Sequence, residues 1–190
     1  MLAVPTLTAD DPLPALPSRV LVSGSSGSGK TTLCTAIARV LDLPYTELDS
    51  LHHGPGWIPR ADFVADVRAI AAAPRWVSEW QYQAVRPLLL ARCDLAVHLD
   101  LPRALVMSRV VRRTVRRSVG RVELWNGNRE PALRTFFTDP DHIVRWAWRT
   151  HGRSAERLTQ IRTARPDLPV VVLRSRAEVN RWLDVLADVR

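Results

Sequence analysis

One stretch of the chain combines residue types and spacing that suit phosphate chemistry. Residues 24–32 match the pattern G-x-x-x-x-G-K-[ST], with a short apolar strand predicted before them and a helix after them. In this arrangement backbone N–H groups surround an anion at the positive end of a helix. Lys30 is the only lysine in the chain, so an ammonium point charge stands where it suits phosphate. We infer that the protein binds a nucleoside triphosphate and that Lys30 reaches its β- and γ-phosphates.

Residues in and near this loop supply candidates for a whole phosphoryl-transfer site. The predicted phosphate-binding residues are Gly24, Ser25, Ser26, Gly27, Ser28, Gly29, Lys30, Thr31 and Thr32. Thr31 is the expected Mg²⁺ ligand, and Thr32 is the expected contact of the α-phosphate. Asp49 and Glu79 each end a predicted strand, where a carboxylate can hold Mg²⁺-bound water or accept a proton from a substrate hydroxyl. The alternative is that these two acids cap helices or pair with arginines.

A second candidate feature is an arginine tract on one predicted helix. It consists of Arg109, Arg112, Arg113, Arg116, Arg117 and Arg121. The first four fall at three- and four-residue spacing, so they share a helix face. Three interpretations stay open: a lid that clamps phosphate, a patch that binds nucleic acid, or a solvated face filled by coding bias. The formal net charge of +8 permits the first two equally. Arginines lining the cleft would favour phosphate, whereas an outward stripe would favour nucleic acid.

Histidine, tryptophan and serine residues add weaker candidates. His52 and His53 lack a third ligand at a recognisable spacing, so substrate contact or turn packing is favoured over a metal site. Trp57 and Trp80 flank the expected cleft, either as base-stacking residues or as its wall. Ser78 lacks a G-x-S-x-G setting, which argues against hydrolase chemistry.

Strands alternating with helices are needed to position these residues. Strands are predicted at 19–23, 45–49, 75–80, 95–101 and 169–173, and helices at 33–41, 60–73, 82–92, 102–117, 139–165 and 176–189. This alternation indicates an α/β fold in which a parallel sheet carries helices on both faces. Such sheets bind ligands beyond the carboxyl ends of their strands, where the loop, Asp49 and Glu79 are expected.

The composition indicates one domain at residues 19–190, preceded by an extended arm at residues 1–18. The chain has 190 residues and 46% hydrophobic content, which is enough for a single core. No apolar run approaches the roughly twenty residues of a membrane helix, and the arm lacks the features of a secretory signal. The two cysteines form no disulfide framework, which fits a reducing cytoplasm. We expect a cytoplasmic monomer or homodimer that has no membrane partner.

Several motifs together resemble one family. They are residues 24–32, Leu48–His52 with Pro55–Trp57, Glu79–Tyr82, and Leu99–Arg103 followed by Arg109 and Arg113. Over about residues 19 to 185 the chain resembles the adenylate-kinase-related P-loop proteins often labelled topology-modulation proteins. More broadly it is similar to nucleoside monophosphate kinases and shikimate kinase. The resemblance implies a P-loop NTPase three-layer sandwich, a five-stranded sheet of order 2-3-1-4-5, a helical lid, and the use of ATP and Mg²⁺.

On the nucleotide side, the resemblance implies roles for three arginines. Arg109 and Arg113 match arginines that lie over the ATP base and phosphates at the start of the lid. Residues from about 112 to 131 match the lid itself. Arg174, after the last predicted strand, lies where the family's base-binding loop lies.

On the acceptor side, the resemblance implies that residues 50–73 form the acceptor-binding segment. The candidate acceptor contacts are Asp49, His52, Trp57, Arg60, Trp80 and Arg86. The chain departs from the family at Glu79-Trp80-Gln81-Tyr82, where adenylate kinases have Asp-Gly-Phe-Pro and the topology-modulation relatives commonly have Asp-Gly-Asn-Tyr. A tryptophan in place of glycine narrows the site and weakens the case for AMP as the acceptor.

These observations predict a kinase that transfers the γ-phosphoryl group of Mg·ATP to a small-molecule or nucleotide acceptor. The predicted catalytic residues are Lys30, Asp49, Glu79, Arg109 and Arg113. Asp49 would orient or deprotonate the acceptor, and the two arginines would neutralise charge as the lid closes and excludes water. Two alternatives stay open: an ATP-dependent nucleic-acid-binding or regulatory protein, and an ATPase without a small acceptor.

Overall fold

The computed structural model describes residues 6–120, 123–128 and 143–188, and its centre is one sheet of five parallel strands. The strands are β1 (Thr6–Leu7), β2 (Arg19–Gly24), β3 (Trp76–Glu79), β4 (Leu95–Leu99) and β5 (Val170–Leu173). Their order across the sheet is β1-β5-β4-β2-β3, and every neighbouring pair is parallel. Strands β3, β4 and β5 are buried along their whole length, as expected for a parallel sheet that is covered on both faces.

Eight α-helices of the described residues surround this sheet. They are α1 (Lys30–Leu41), α2 (Leu48–His52), α3 (Phe63–Ala72), α4 (Arg86–Leu90), α5 (Arg103–Val119), α6 (Ile143–Thr150), α7 (Ser154–Ala164) and α8 (Arg176–Asp188). The single helix predicted at 139–165 is wrong, because a 3-10 turn at His151–Arg153, which contains a glycine, separates α6 from α7. Residues 139–142 of that prediction lie outside the described part. None of the described helices is both long and apolar enough to cross a membrane.

Side chains that alternate along the strands build one core on each face of the sheet. Val22 of β2 packs with Ile37 of α1 in the first core, which α8 completes. Leu21, the preceding residue, lies in the second core with Val67 of α3 and with side chains of α4 and α7. The sheet therefore lies between two helical layers. This arrangement confirms the predicted α/β three-layer fold with a parallel five-stranded sheet.

The strand predicted at residues 45–49 is wrong. Only Tyr45 pairs with the sheet, through an isolated parallel bridge to Val77, and the chain then forms helix α2. Leu48 is completely buried in the second core as the first residue of that helix, so packing decided the local structure. With the bridge counted, the order 45-β3-β2-β4-β5 follows the sheet order that the family resemblance implied.

The fifth strand comes from the N-terminal arm instead. β1 pairs in parallel with β5 and covers that edge of the sheet. Ala9 is buried in the first core, and partly buried Leu7 and Leu13 pack against it. Asp10 forms an ion pair with Arg181 of α8 at 3.1 Å. The apolar residues between the prolines therefore dock the arm over residues 6–18, where the sequence predicted only a loose extended segment.

Candidate active site

The phosphate-binding loop occupies the turn between β2 and α1. Gly24 ends the strand, Lys30 begins the helix, and Gly29 is the helix N-cap in a left-handed conformation. Gly27 has a φ of +79°, and a Cβ on it would lie 2.2 Å from Cγ2 of Val110. Only glycine allows the loop to approach α5 this closely. The loop lies at the positive end of α1, where a phosphate is stabilised.

Lys30 is a partly buried cation on this loop. Its Nζ donates a 3.3 Å hydrogen bond to the backbone carbonyl of Ser25. The pKa of Lys30 is lowered, and desolvation is the largest cause. The Glu79 and Asp49 carboxylates partly oppose this shift, whereas the charge of Arg157 adds to it. A desolvated ammonium with one long hydrogen bond gains free energy when an anion replaces the lost water.

Thr31 and Glu79 meet beside the loop. Thr31 donates a 2.7 Å hydrogen bond from Oγ1 to Oε1 of Glu79, which also accepts a 2.9 Å bond from the Tyr45 hydroxyl. The Glu79 side chain is only 2% exposed. Mg²⁺ prefers oxygen ligands and keeps few protein contacts when it binds with phosphates, so this pair fits it. The described residues contain no group of three or more His, Cys, Asp or Glu side chains that would form a closed metal site.

Asp49 belongs to a separate hydrogen-bond network. Gln81 donates a 2.8 Å bond and the Tyr82 hydroxyl a 2.5 Å bond to Oδ1 of Asp49. The Tyr82 hydroxyl also lies 3.1 Å from Nε2 of His53. Desolvation and the Asp49 charge raise the pKa of Tyr82, so its phenol stays protonated and donates. Among the described residues both side-chain bonds to Asp49 reach Oδ1, and none reaches Oδ2.

The arginine tract of α5 divides between the cleft and the solvent. Arg109, Arg113 and Arg117 lie one turn apart and line the cleft. Arg109 also donates a 3.0 Å bond from Nη1 to a carbonyl of the phosphate loop. Arg112 and Arg116 are exposed, although the spacing had placed them on the same face. Three arginines of the tract therefore line the cleft, which is the arrangement that favours phosphate binding over nucleic-acid binding.

The predicted lid at residues 112–131 is described only in part. Its beginning is the second half of α5, and residues 123–128 form a turn that contacts residues 47–57. Residues 121–122 and 129–131 lie outside the described part, and so does Arg121 of the tract.

Two partly desolvated arginines line another part of the cleft. Arg157 of α7 donates a 2.6 Å bond to the carbonyl of Gly24. Arg86 of α4 lies over the Trp80 ring, with 4.8 Å between the guanidinium carbon and the ring centroid. Desolvation lowers the pKa of both, and the charge of Arg86 further lowers the pKa of Arg157. Within the described residues no carboxylate lies within ion-pair distance of either, so an anion would relieve their mutual repulsion.

Arg157 and the neighbouring Arg153, which also lines the cleft, were not predicted from the sequence. Every Lys or Arg residue except Lys30 is an arginine, so an arginine in a helix did not by itself indicate a functional site. The packing of α7 against β2, rather than any motif, brings Arg157 to the loop.

The other predicted acceptor contacts divide between the cleft and its support. Trp57 and Trp80 line the cleft together with Arg86. His52 is absent from the lining and stacks on Tyr82, with ring centroids 4.1 Å apart. Arg60 is also outside the lining, because it pairs with a carboxylate of α3 at 3.2 Å. These two residues support the acceptor segment, and direct contact with an acceptor stays a prediction for them.

Arg174 does not line the cleft either. Its backbone N–H donates a 2.8 Å bond to Oε2 of Glu178 at the start of α8. The cleft surface nearby comes from Ala36 of α1 and from Arg176 and Asn180 of α8. A role of Arg174 in nucleotide binding stays a prediction.

The cleft that joins these groups has a volume of about 2420 Å³. A pocket for one small ligand usually has roughly 300–1,000 Å³. The cleft, bounded by the phosphate loop, α5, α7 and residues 47–57, is therefore larger than a usual pocket for one small ligand.

Neither a protein-family model nor a curated protein sequence matches the chain. Among solved structures, it is similar to a gluconokinase from Sinorhizobium meliloti 1021, with 20% identity, a TM-score of 0.49, and coverage of 92% of this chain and 94% of that chain. A shikimate kinase from Bacteroides thetaiotaomicron has 14% identity and a TM-score of 0.46, with 91% and 98% covered. A sugar kinase from Janibacter sp. HTCC2649 has 20% identity and a TM-score of 0.41, with 97% and 98% covered. These similarities concern the course of the chain, and the chemistry of the site follows from its own residues.

Proposed function

We propose that the protein is a kinase that transfers the γ-phosphoryl group of Mg·ATP to a hydroxyl group of a small anionic acceptor. The observation that carries this proposal is the separation of two carboxylates near Lys30. Glu79 is bonded to Thr31 of the phosphate loop, whereas Asp49 is bonded to Gln81 and Tyr82 of the acceptor side. The first carboxylate suits Mg²⁺ binding beside the phosphates, and the second one suits a general base for the acceptor hydroxyl.

The proposed reaction assigns a role to each of these residues. Asp49 accepts the proton of the acceptor hydroxyl as the new oxygen–phosphorus bond forms, and the bond from the γ-phosphorus to the β-phosphate oxygen breaks to release ADP. Lys30 and Arg109 stabilise the negative charge that develops on the transferred group and on the leaving oxygens. Tyr82 and Gln81 hold Asp49 in place, because both donate to its Oδ1.

Mg²⁺ would be held at Thr31, with Glu79 binding its water ligands. When bound there, the ion would neutralise charge on the β- and γ-phosphate oxygens. The Thr31–Glu79 hydrogen bond already places both oxygen donors together, and Tyr45 fixes the Glu79 carboxylate from the other side.

The charges on the acceptor side support an acceptor that carries a carboxylate or a phosphate. Arg86 and Arg157 are partly desolvated, repel each other, and lack a carboxylate partner among the described residues. A guanidinium pair of this kind binds an anion with charge-assisted hydrogen bonds. Sugar acids and hydroxy acids fit this description. Nucleoside monophosphates, which the resemblance suggests, would accept the group on a phosphate oxygen, so they enter the test as the alternative to a hydroxyl acceptor.

The experiment offers Mg·ATP labelled at the γ-phosphate to the full chain with a panel of hydroxyl compounds. Each acid or phosphate is paired with its neutral analogue. We expect label transfer to an anionic member, and we expect Asp49→Asn to lower that transfer at least about a hundredfold while ATP binding persists. Release of inorganic phosphate alone in every mixture would show that the protein is not a kinase. Nucleic acid that raises ATP turnover without becoming labelled would favour the alternative, for which exposed Arg112 and Arg116 are the available contacts.

A further inference from the structure

Residues 125–128, here called the clasp, follow α5 in the chain and are bonded to residues 47–57, here called the acceptor segment. Asn128 is only 5% exposed and forms most of the connection. Its Oδ1 accepts a 3.0 Å bond from the backbone N–H of Trp57. Its Nδ2 donates bonds of 2.9 Å to the Gly54 carbonyl and 2.8 Å to the Trp125 carbonyl. One buried amide therefore satisfies three backbone groups in two segments that are 71 residues apart.

Trp125 and Asn126 extend the same connection. The Trp125 indole N–H donates a 2.9 Å bond to Oε2 of Glu47, and its ring stacks on His53 with centroids 6.0 Å apart. The Asn126 amide donates to the carbonyl of His53. These contacts reach both ends of the segment that contains Asp49. The segment is therefore attached to the clasp before and after its catalytic carboxylate.

The backbone conformation shows why the acceptor segment needs this attachment. Trp57 has a φ of +62° and Asn126 a φ of +56°, both in the left-handed region. That region is unfavourable for a bulky residue such as tryptophan unless its surroundings hold it there. The Trp57 N–H is bonded to Asn128, and the Trp57 ring meets the Trp125 ring at 6.4 Å between centroids. Because Trp57 lines the cleft, its conformation shapes the acceptor site.

We propose that Asn128 and Trp125 are positioning residues for the acceptor: the clasp makes residues 47–57 and residues 123–128 move as one unit. This inference rests on the proposed kinase function. Arg109, Arg113 and Arg117 of α5 line the phosphate side of the cleft, so a nucleotide bound to them stabilises the acceptor segment through the clasp. The acceptor site is then complete only when the nucleotide is in place, which limits transfer of the phosphoryl group to water.

The test measures hydrogen–deuterium exchange of backbone amides in the full chain, with and without Mg²⁺ and the non-hydrolysable analogue adenylyl imidodiphosphate. The variants are Asn128→Ala, Trp125→Phe, which keeps the ring but loses the N–H donor, and the control Trp148→Phe, an exposed tryptophan of α6. Without nucleotide, we expect the Trp57 amide to exchange about tenfold faster in Asn128→Ala than in the wild type, as loss of one net hydrogen bond predicts. Trp148→Phe should match the wild type.

With the analogue bound, exchange of the Trp57 amide should slow further in the wild type and in Trp148→Phe but not in Asn128→Ala. Trp125→Phe should lose part of this slowing, and it provides the test if Asn128→Ala does not fold. Equal Trp57 exchange in Asn128→Ala and the wild type, or equal slowing by the analogue, would overturn the proposal. If the analogue protects no amide of residues 24–32 in the wild type, the nucleotide-binding function fails instead, and the comparison without nucleotide still decides whether the clasp exists.

Discussion

The Thr31 hydroxyl donates a 2.7 Å hydrogen bond to the Glu79 carboxylate, and this contact joins the first turn of α1 to the end of β3. The second described partner of this carboxylate is also a neutral hydroxyl, that of Tyr45. Both of these hydrogen-bond donors are uncharged, and a hydrated Mg²⁺ ion pairs with carboxylate oxygens of this kind. The contact therefore separates the proposed metal side of the site from the proposed acceptor side, where Asp49 has its own donors.

Glu79→Gln should impair the use of Mg²⁺. The amide removes the charge but keeps the shape, so we expect ATP turnover to fall by about a hundredfold and to require more Mg²⁺ for half-maximal rate. A titration of turnover with Mg²⁺ measures both effects. Tyr45→Phe removes only the second hydrogen bond to Glu79 and should cost less than about tenfold. An unchanged Mg²⁺ requirement in Glu79→Gln would contradict the assignment.

Lys30→Ala should abolish turnover while the protein stays folded. The ammonium is the positive charge expected at the β- and γ-phosphates, and its loss should lower turnover at least about a hundredfold. Desolvation lowers the pKa of Lys30, which means that the folded state disfavours the ammonium charge. Removal of this charge should therefore not destabilise the fold, and the thermal midpoint should change little. Turnover assays and thermal denaturation of the same sample measure the two effects. Normal turnover in a folded Lys30→Ala protein would refute the proposed mechanism.

Arg157→Met should weaken binding of the anionic acceptor. Methionine keeps much of the apolar stem but removes the guanidinium, so we expect the KM of the acceptor to rise about tenfold to a hundredfold while the KM of ATP changes less. Arg162→Met is the matched control, because this arginine lies on the same helix but does not line the cleft. Steady-state kinetics with each substrate varied in turn provide the comparison. Equal effects of both variants on the acceptor KM would remove Arg157 from the acceptor site.

His98 should make the stability of the fold depend on acid pH. It is completely buried on β4 and lies 3.0 Å from the Ser23 hydroxyl and 3.1 Å from the Ser154 hydroxyl. Burial lowers the pKa of His98 to about 4, from an ordinary value of 6.5. Below pH 6.5 the unfolded chain therefore binds a proton that the folded chain excludes. The free energy of unfolding should fall by about 3 kcal/mol between pH 6.5 and pH 4 through this group.

Urea unfolding of the wild type and His98→Gln at pH 7 and pH 4.5 measures this contribution. Glutamine retains a donor and an acceptor but does not titrate. The loss of stability between the two pH values should therefore be smaller in the variant, whatever its stability at pH 7. A loss of equal size in both proteins would show that His98 does not titrate as its burial requires.

The parts of the fold that were predicted correctly have strong local signals. Strands β2 to β5 are short apolar runs bounded by turn residues, and the predicted loop lies between a strand and a helix as its pattern requires. The segment at 45–49 failed because its alternating residues suit a half-buried strand, whereas the structure needs Leu48 in a core under α3. The arm at 6–18 failed because its prolines dominate the pattern, although Leu7 and Leu13 have a core to pack against.

The candidate site shows the same difference between features with a local sequence signal and features that depend on packing. The spacing of Gly24, Gly29 and Lys30 predicted a phosphate site, because the chemistry lies within nine consecutive residues. A local sequence pattern does not show which residues far apart in the chain will contact each other. Arg157 reaches Gly24 across 133 positions, and Asn128 reaches Trp57 across 71. Each of these is an ordinary polar residue in a segment that has no motif of its own.

The sequence by itself predicted a phosphate site and the lysine, threonine and glycines that would surround a phosphate, because those atoms belong to one continuous turn whose geometry the residues impose locally. Only the tertiary structure decided which arginines line the cleft beside that loop, which carboxylate is bonded to the loop and which one is bonded to Gln81 and Tyr82. Those choices depend on how α5, α7 and residues 123–128 pack around the ends of the strands. Packing depends on segments that are distant in the chain, so the separate contacts of Glu79, Asp49 and Arg157 exist only in the folded protein.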